Sequence, residues 1–264
     1  MKEDLSKYNP DGSTLRKTQL RMLEILQQVT RILDKHNIPY FLHGGTLLGA
    51  VRHGGFIPWD DDLDIGVLWK DIPRMRKVLQ AELPENLCYQ DRTTDWNYPL
   101  IISKVRDRKS YFDDPYSKKV KERGIYIDLI PFEEVVPIGI LKSVDYIYIR
   151  CLRGIHNYND RFIEKFLGYV CYPPTIIIVG MCRLWTKLFH SHKWGDTYGW
   201  VPINYSETDL FPLKKIQFEG QTFSCPANPD GMLKTCYGDY MQIPPEDKRV
   251  THLAEITFLD EEQK

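Results

Sequence analysis

The chain has 264 residues, 35 of them Lys or Arg and 36 Asp or Glu, for a formal charge of −1. That balance excludes the strongly basic signature of a nucleic-acid binder, and a 42% apolar share with no long polar run excludes disorder as the dominant state. Six scattered cysteines without a CxxC pair read as free thiols rather than a disulfide frame or zinc site, and the polar start MKEDLSKYNPDGSTLRKTQL does not read as a secretion signal, so a cytoplasmic protein is expected.

In chain order, Ser13 is a natural N-cap for a helix whose apolar stripe is Leu15, Met22, Leu26, Val29 and Leu33, and Asn37 and Pro39 end it. A short strand over 40–42 runs into a glycine turn, TLLGAVR forms a short helix, and LDIGVLW (63–69) is a second strand. Residues 71–83 make a helix with Asp71 as cap and Pro73 in its first turn. Strands follow near 87–90, 100–107 and 125–132. Residues 139–190 turn helical, in three segments. LKKIQFEGQTFSCP turns a hairpin at Glu219-Gly220, and Asn228-Pro229-Asp230 caps a last short helix. Interleaved strands and helices give an α+β fold with a mixed sheet core, flanking helices and an added helical block. Residues 1–135 read as the catalytic core, and 136–264 as the block, hairpin and helix that complete the same domain.

Residues 166–189, FLGYVCYPPTIIIVGMCRLWTKLF, are apolar but divided by Pro173-Pro174 and Arg183. The uninterrupted stretch after the prolines is far shorter than the ~20 residues a membrane span needs. A buried helix is expected there, with peripheral membrane contact as the alternative.

The densest chemistry lies in HGGTLLGAVRHGGFIPWDDDLDIGV (43–67), which crowds glycines against carboxylates. Asp62 and Asp64 flank Leu63 at the entry to a strand, so a period of two sends both carboxylates off one face. Carboxylates that close need a cation between them, and an oxygen-only set favours Mg²⁺ or Mn²⁺. Asp128, a lone charge in the apolar strand GIYIDLIPF, supplies a third acid. Asp60 and Asp61 read as turn residues, with Asp60 within reach of the metal. Gly44-Gly45-Thr46, where a strand turns into a helix, lets backbone N–H groups approach a phosphate. Arg52, His53, Lys104 and Arg106 are candidates to neutralise the remaining phosphate charge.

GGTLLGAVRHGGFIPWDDDLDIG closely resembles the signature of the LicD/fukutin family, whose members have a nucleotidyltransferase-type fold. That superfamily pairs a Gly-Gly turn with an acidic-x-acidic strand and a later third acid, matched here by Gly44-Gly45-Thr46, by Asp62 and Asp64, and by Asp128. SKVRD (103–107) and YGDYMQIPP (237–245) are similar to the family too. The resemblance implies metal-dependent transfer of a phospho-alcohol from a CDP-activated donor to a sugar of a cell-surface glycan, free or lipid-linked, at the inner face of the membrane. The animal ribitol-phosphate enzymes carry a cysteine zinc site that has no counterpart in this sequence. The expected donor is therefore CDP-choline. A quaternary ammonium is recognised by aromatic faces, which makes Trp96, Tyr98, Tyr111, Phe112 and Tyr116, on either side of SKVRD, candidates for a choline cage. Ordinary packing is the competing reading of each. Two other functions stay open: an NTP-dependent nucleotidyltransferase releasing pyrophosphate, and a non-catalytic metal-binding scaffold.

Overall fold

α1 (Thr14–Lys35) forms where the stripe predicts it. Ser13 accepts the Arg16 N–H at 3.2 Å, and the five stripe residues are buried. The helix ends where Asn37 adopts φ +50°. The computed structural model describes residues 4–113, 119–136, 141–156, 162–198, 203–249 and 256–259.

The chain continues through β1 (Tyr40–Leu42), α2 (Gly44–His53), β2 (Asp64–Leu68), α3 (Ile72–Glu82), β3 (Leu87–Gln90), β4 (Ser103–Asp107), β5 (Ser110–Phe112) and β6 (Tyr126–Glu134). Five of these strands lie side by side in the order β1-β2-β6-β4-β3. Only β2 and β6 run parallel; the other neighbours are antiparallel. The central strand is β6, and its nine residues are long enough to serve two neighbours along one edge. Its first half pairs with β4, and Phe132–Glu134 pair with β7 (Lys193–Asp196), which pairs in turn with β8 (Tyr205–Ser206). The sheet is therefore mixed, as expected. α1 packs across β4 and β6, and α3 packs on α1 and β3. Leu63, Ile65, Val67, Ile127, Leu129 and Phe132 are fully buried at the centre of the core.

Beyond β6 come α4 (Leu141–Ile155) and α5 (Phe162–Phe189), which pack on each other as a hairpin. Two expectations are corrected here. The described part of 139–190 forms two helices rather than three segments, because α5 runs unbroken through Pro173-Pro174. Nor is α5 a buried helix: most of its large apolar side chains are exposed.

After β8 come the one-turn α6 (Glu207–Leu210), β9 (Lys214–Phe218), β10 (Gln221–Cys225), α7 (Pro229–Tyr237) and β11 (Ile256–Phe258). β9 and β10 form the expected hairpin, with Glu219 and Gly220 both at positive φ as a tight two-residue turn requires. β11 returns to pair with β5. Three further details differ from the sequence reading. The strand expected from 100 starts at Ser103, the side chain of Asp71 makes no cap bond, and the short β5, β7, β8 and β11 were not anticipated.

Candidate active site

The parallel pairing of β2 and β6 sets Asp64 directly opposite Asp128. On the far side of β6, Lys104 of β4 also stands opposite Asp128. Its Nζ lies 2.5 Å from Asp128 Oδ1 and 3.4 Å from the centroid of the Tyr126 ring. Three neighbouring strands thus bring two acids and an ammonium group together.

The crowded glycines are explained by what sits above them. α2 starts at Gly44, with His43 extended at its N-cap. Gly44 has φ +55°, and a Cβ there would lie 3.0 Å from Asp64 Oδ2. A Cβ on Gly45 would lie 2.8 Å from Asp60 Oδ2 and 3.8 Å from Asp62 Oδ1. The positive end of α2 therefore closes on three carboxylates, and any side chain on those first two residues would displace them. Thr46 adds to this lock: its Oγ1 accepts the Asp64 N–H at 2.8 Å, while the Asp64 carbonyl accepts the His43 N–H at 3.2 Å.

Packing acids this tightly changes their chemistry. Burial pushes the Asp64 carboxyl well above the ordinary range, the charges of Asp62 and Asp128 push it further, and Lys104 opposes them. Asp60 is pushed up to about 8, by burial first and then by Asp62 and Asp61. Burial lowers the pKa of Lys104, and its pairing with Asp128 counters that. Such a set favours taking up a cation or protons. Its donors are all oxygen, which fits Mg²⁺ or Mn²⁺ by type. Among the described residues, no three His, Cys, Asp or Glu side chains already stand as a ready ligand set.

The remaining predicted residues are distributed unevenly. Arg52 feels the charge of Asp60, and its guanidinium donates to the Tyr240 carbonyl at 2.7 Å and to His53 Nε2 at 2.9 Å. Burial and Arg52 push His53 down to about 4, and its ring meets Trp59 edge-on. Arg106 is buried, donating to Gln90 Oε1 at 2.6 Å and to the Gly124 carbonyl at 3.0 Å, with its guanidinium over Tyr126. Of the aromatic candidates, Tyr98 is buried within the field of Asp128, and its hydroxyl has no hydrogen-bond partner among the described residues. Trp96 lies tilted against His156, Tyr111 lies under Arg123, and Phe112 meets Tyr126. No ring contact joins these four to one another, and Tyr116 lies outside the described residues.

Three groups at the site escaped the sequence reading. Tyr237, the last residue of α7, places its hydroxyl 3.8 Å from the Gly44 Cβ position, and burial, then the charges of Cys236, Asp64 and Asp60, raises its phenol. Gln19, buried in α1, donates to the carbonyls of Asp60 at 2.9 Å and Ile57 at 3.3 Å, fixing the loop that carries the acids. His43 lies 3.4 Å from Asp196 of β7, both buried. The one available signal was that Tyr237 opens the YGDYMQIPP segment.

Residues 37–144 match the family model described as LicD/FKTN/FKRP, nucleotidyltransferase domain. The lipopolysaccharide cholinephosphotransferase LicD of Haemophilus influenzae is 28% identical over 267 aligned residues, covering 93% of this chain and 98% of that protein. An uncharacterized protein of Rickettsia prowazekii, RP689, is 42% identical over 77 residues, 29% of this chain and 27% of its own. Human ribitol 5-phosphate transferase FKRP is 41% identical over 59 residues, 22% of this chain and 12% of its own. The matched segment contains α2, β2, β4 and β6, and with them Asp60, Asp62, Asp64 and Asp128. Residues 37–144 are thus similar to the LicD/FKTN/FKRP nucleotidyltransferase domain, and the likeness to one lipopolysaccharide cholinephosphotransferase extends along nearly the whole chain.

Proposed function

We propose that this chain transfers phosphocholine from CDP-choline to a sugar hydroxyl of a cell-surface glycan, releasing CMP. The observation that carries this reading is the convergence of Asp60, Asp62 and Asp64 on the N-terminus of α2, with Asp128 opposite Asp64, in a chain similar along nearly its whole length to a lipopolysaccharide cholinephosphotransferase. Choline as the alcohol rests on that relative.

The acceptor oxygen would form a bond to the phosphorus that bears choline. The bond from that phosphorus to the bridging oxygen would break, and CMP would leave with the bridging oxygen. Asp62, Asp64 and Asp128 would hold a divalent cation, Mg²⁺ or Mn²⁺, and Asp60 adjoins them. When bound, that cation supplies charge neutralisation for the diphosphate. The first N–H groups of α2 would face phosphate oxygens, with Arg52 beside them. Asp128, poised against Lys104, would share the cation or take the acceptor's proton. The acceptor would be reached from the cytoplasm, at the inner face of the membrane.

The test is CMP release from matched concentrations of CDP-choline, CDP-ribitol and CDP-glycerol with Mg²⁺. Release is expected with CDP-choline well above the other two. Equal or reversed preference discards choline. Pyrophosphate from an NTP, with no CMP from any CDP-alcohol, replaces this reading with a nucleotidyltransferase.

A further inference from the structure

Helix α5 is built inside out. Its inward stripe is Gly168, Thr175, Val179 and Thr186, small residues at helical spacing and all buried. Its outward face carries Phe166, Ile177, Met181, Leu184, Leu188 and Phe189, of which Ile177 and Leu188 are each 63% exposed. A helix that packs on a water-soluble body ordinarily turns its large apolar residues inward. Small residues inside and bulky apolar ones outside are what helices meeting lipid show.

The charges follow the same inversion. Between Lys165 and Lys187, a rise of about 33 Å, the only charged residue is Arg183. Its guanidinium is turned inward, donating to both oxygens of Glu133 at 2.7 and 2.8 Å and lying 4.2 Å from the centroid of the Trp69 ring. Both lysines that bracket the stretch are exposed. On α4, Tyr146 and Ile147 extend the exposed apolar surface. A protein partner of ordinary size would find about one hydrogen bond per 100–200 Å². From Phe166 to Thr186 the outward face offers polar side-chain atoms only on Tyr169 and Trp185.

We infer that α5, with the outer edge of α4, lies in the plane of a lipid leaflet and holds the protein on the membrane surface. By length and composition α5 would suffice to cross a membrane, but two features favour lying flat. Its inner face is bonded to β6 through Arg183 and Glu133, so a crossing would carry the sheet into the hydrocarbon. The exposed Pro173 and Pro174 also lack the N–H groups that would bond the carbonyls of Tyr169 and Val170. Those carbonyls reach water at an interface and do not at a bilayer centre. This inference is independent of the proposed chemistry, since it concerns where the protein sits and not what it turns over.

The test is flotation of the intact chain with phosphatidylcholine vesicles, alone or with phosphatidylglycerol. The chain is expected to float with both, and more strongly with the anionic lipid because of Lys165 and Lys187. Ile177→Glu, Leu184→Glu and Leu188→Glu should each lower the partition coefficient about tenfold or more, as losing one buried Leu or Ile side chain does. Circular dichroism should be unchanged, because these side chains make no part of the core. Leu20→Glu, at an exposed apolar position on α1, should leave flotation unchanged. A chain that stays out of both vesicle types overturns the inference. So does one that floats equally after all three substitutions. A lipid-free dimer that the same substitutions dissociate, with no flotation of the native chain, assigns the face to a second copy instead.

Discussion

The acid-lined end of the sheet and the α4–α5 hairpin break the same sorting rule in opposite senses. Globular chains place charges in water and apolar groups inside. At α2 and β2, three carboxylates are drawn together over a helix end, until burial and mutual repulsion raise the pKa of Asp60 and Asp64. On α5 the large apolar groups face out, and the one mid-helix charge is folded in against Glu133. Each arrangement works against stability in isolation. The first makes sense if cation and phosphate complete it, the second if lipid does.

The sharpest way to break the comparison is to remove charge from the first region. Asp64→Asn should reduce transfer by about a thousandfold or more, as loss of a metal ligand does. The same change should raise the melting temperature of the metal-free protein, because it relieves repulsion among buried acids. A variant that retains turnover while folding normally would move the chemistry elsewhere.

Removing charge from the second region should have the contrary sign. Arg183→Met leaves the buried Glu133 carboxylate without its bidentate partner and should cost about 2–3 kcal/mol in urea unfolding. Adding Glu133→Gln should recover part of that loss. A neutral single variant would show that the pair does not hold α5 to the sheet.

Thr46 sharpens the comparison within the first region. Read from sequence as a phosphate ligand, it should act on donor KM. Its hydroxyl instead accepts the Asp64 N–H. Thr46→Val should therefore lower kcat, by about tenfold, and cost about 1 kcal/mol of stability for the orphaned N–H. A pure KM effect would return Thr46 to the phosphate.

The smallest effect expected is a pH dependence at the border of the two regions. Burial pushes Asp196 up to about 8 and His43 down to about 4. A carboxyl whose folded pKa is raised stabilises the fold fully below its ordinary value of 3.8, and loses that contribution as pH rises through 8. Asp196→Asn should thus gain on the native chain between pH 4 and pH 9, by about 1 kcal/mol or more. Destabilisation of the Asn variant at pH 7 would mean that His43 and Asp196 form an ion pair instead.

What could be read from sequence was whatever local spacing determines. The α1 stripe, the Glu219-Gly220 turn and the alternation at Asp62 and Asp64 all follow from the pitch of a helix or a strand. The contacts that finish the site depend on chain segments far apart. Gln19 holds the Asp60 loop from α1, and Tyr237 arrives from the other end of the chain. Strand β7, KWGD, has no apolar alternation and forms because β6 offers it an edge. For α5, apolar content alone does not tell which neighbour is buried against it. The small-residue stripe at 168, 175, 179 and 186 carried that information, and the prolines drew attention from it.

One strand carries both Asp128 and Glu133. The five residue steps between those Cα positions extend about 17 Å at most, and Glu133 is where Arg183 fastens α5. β6 is therefore a ruler. If α5 rests in a leaflet, Asp128 would lie no farther than that length from the point where α5 is fastened, and only the part of a lipid-borne acceptor close to its anchor would come within range. If both proposals hold, the enzyme would search for its acceptor in two dimensions, and the length of a single strand would limit how far from the surface it writes.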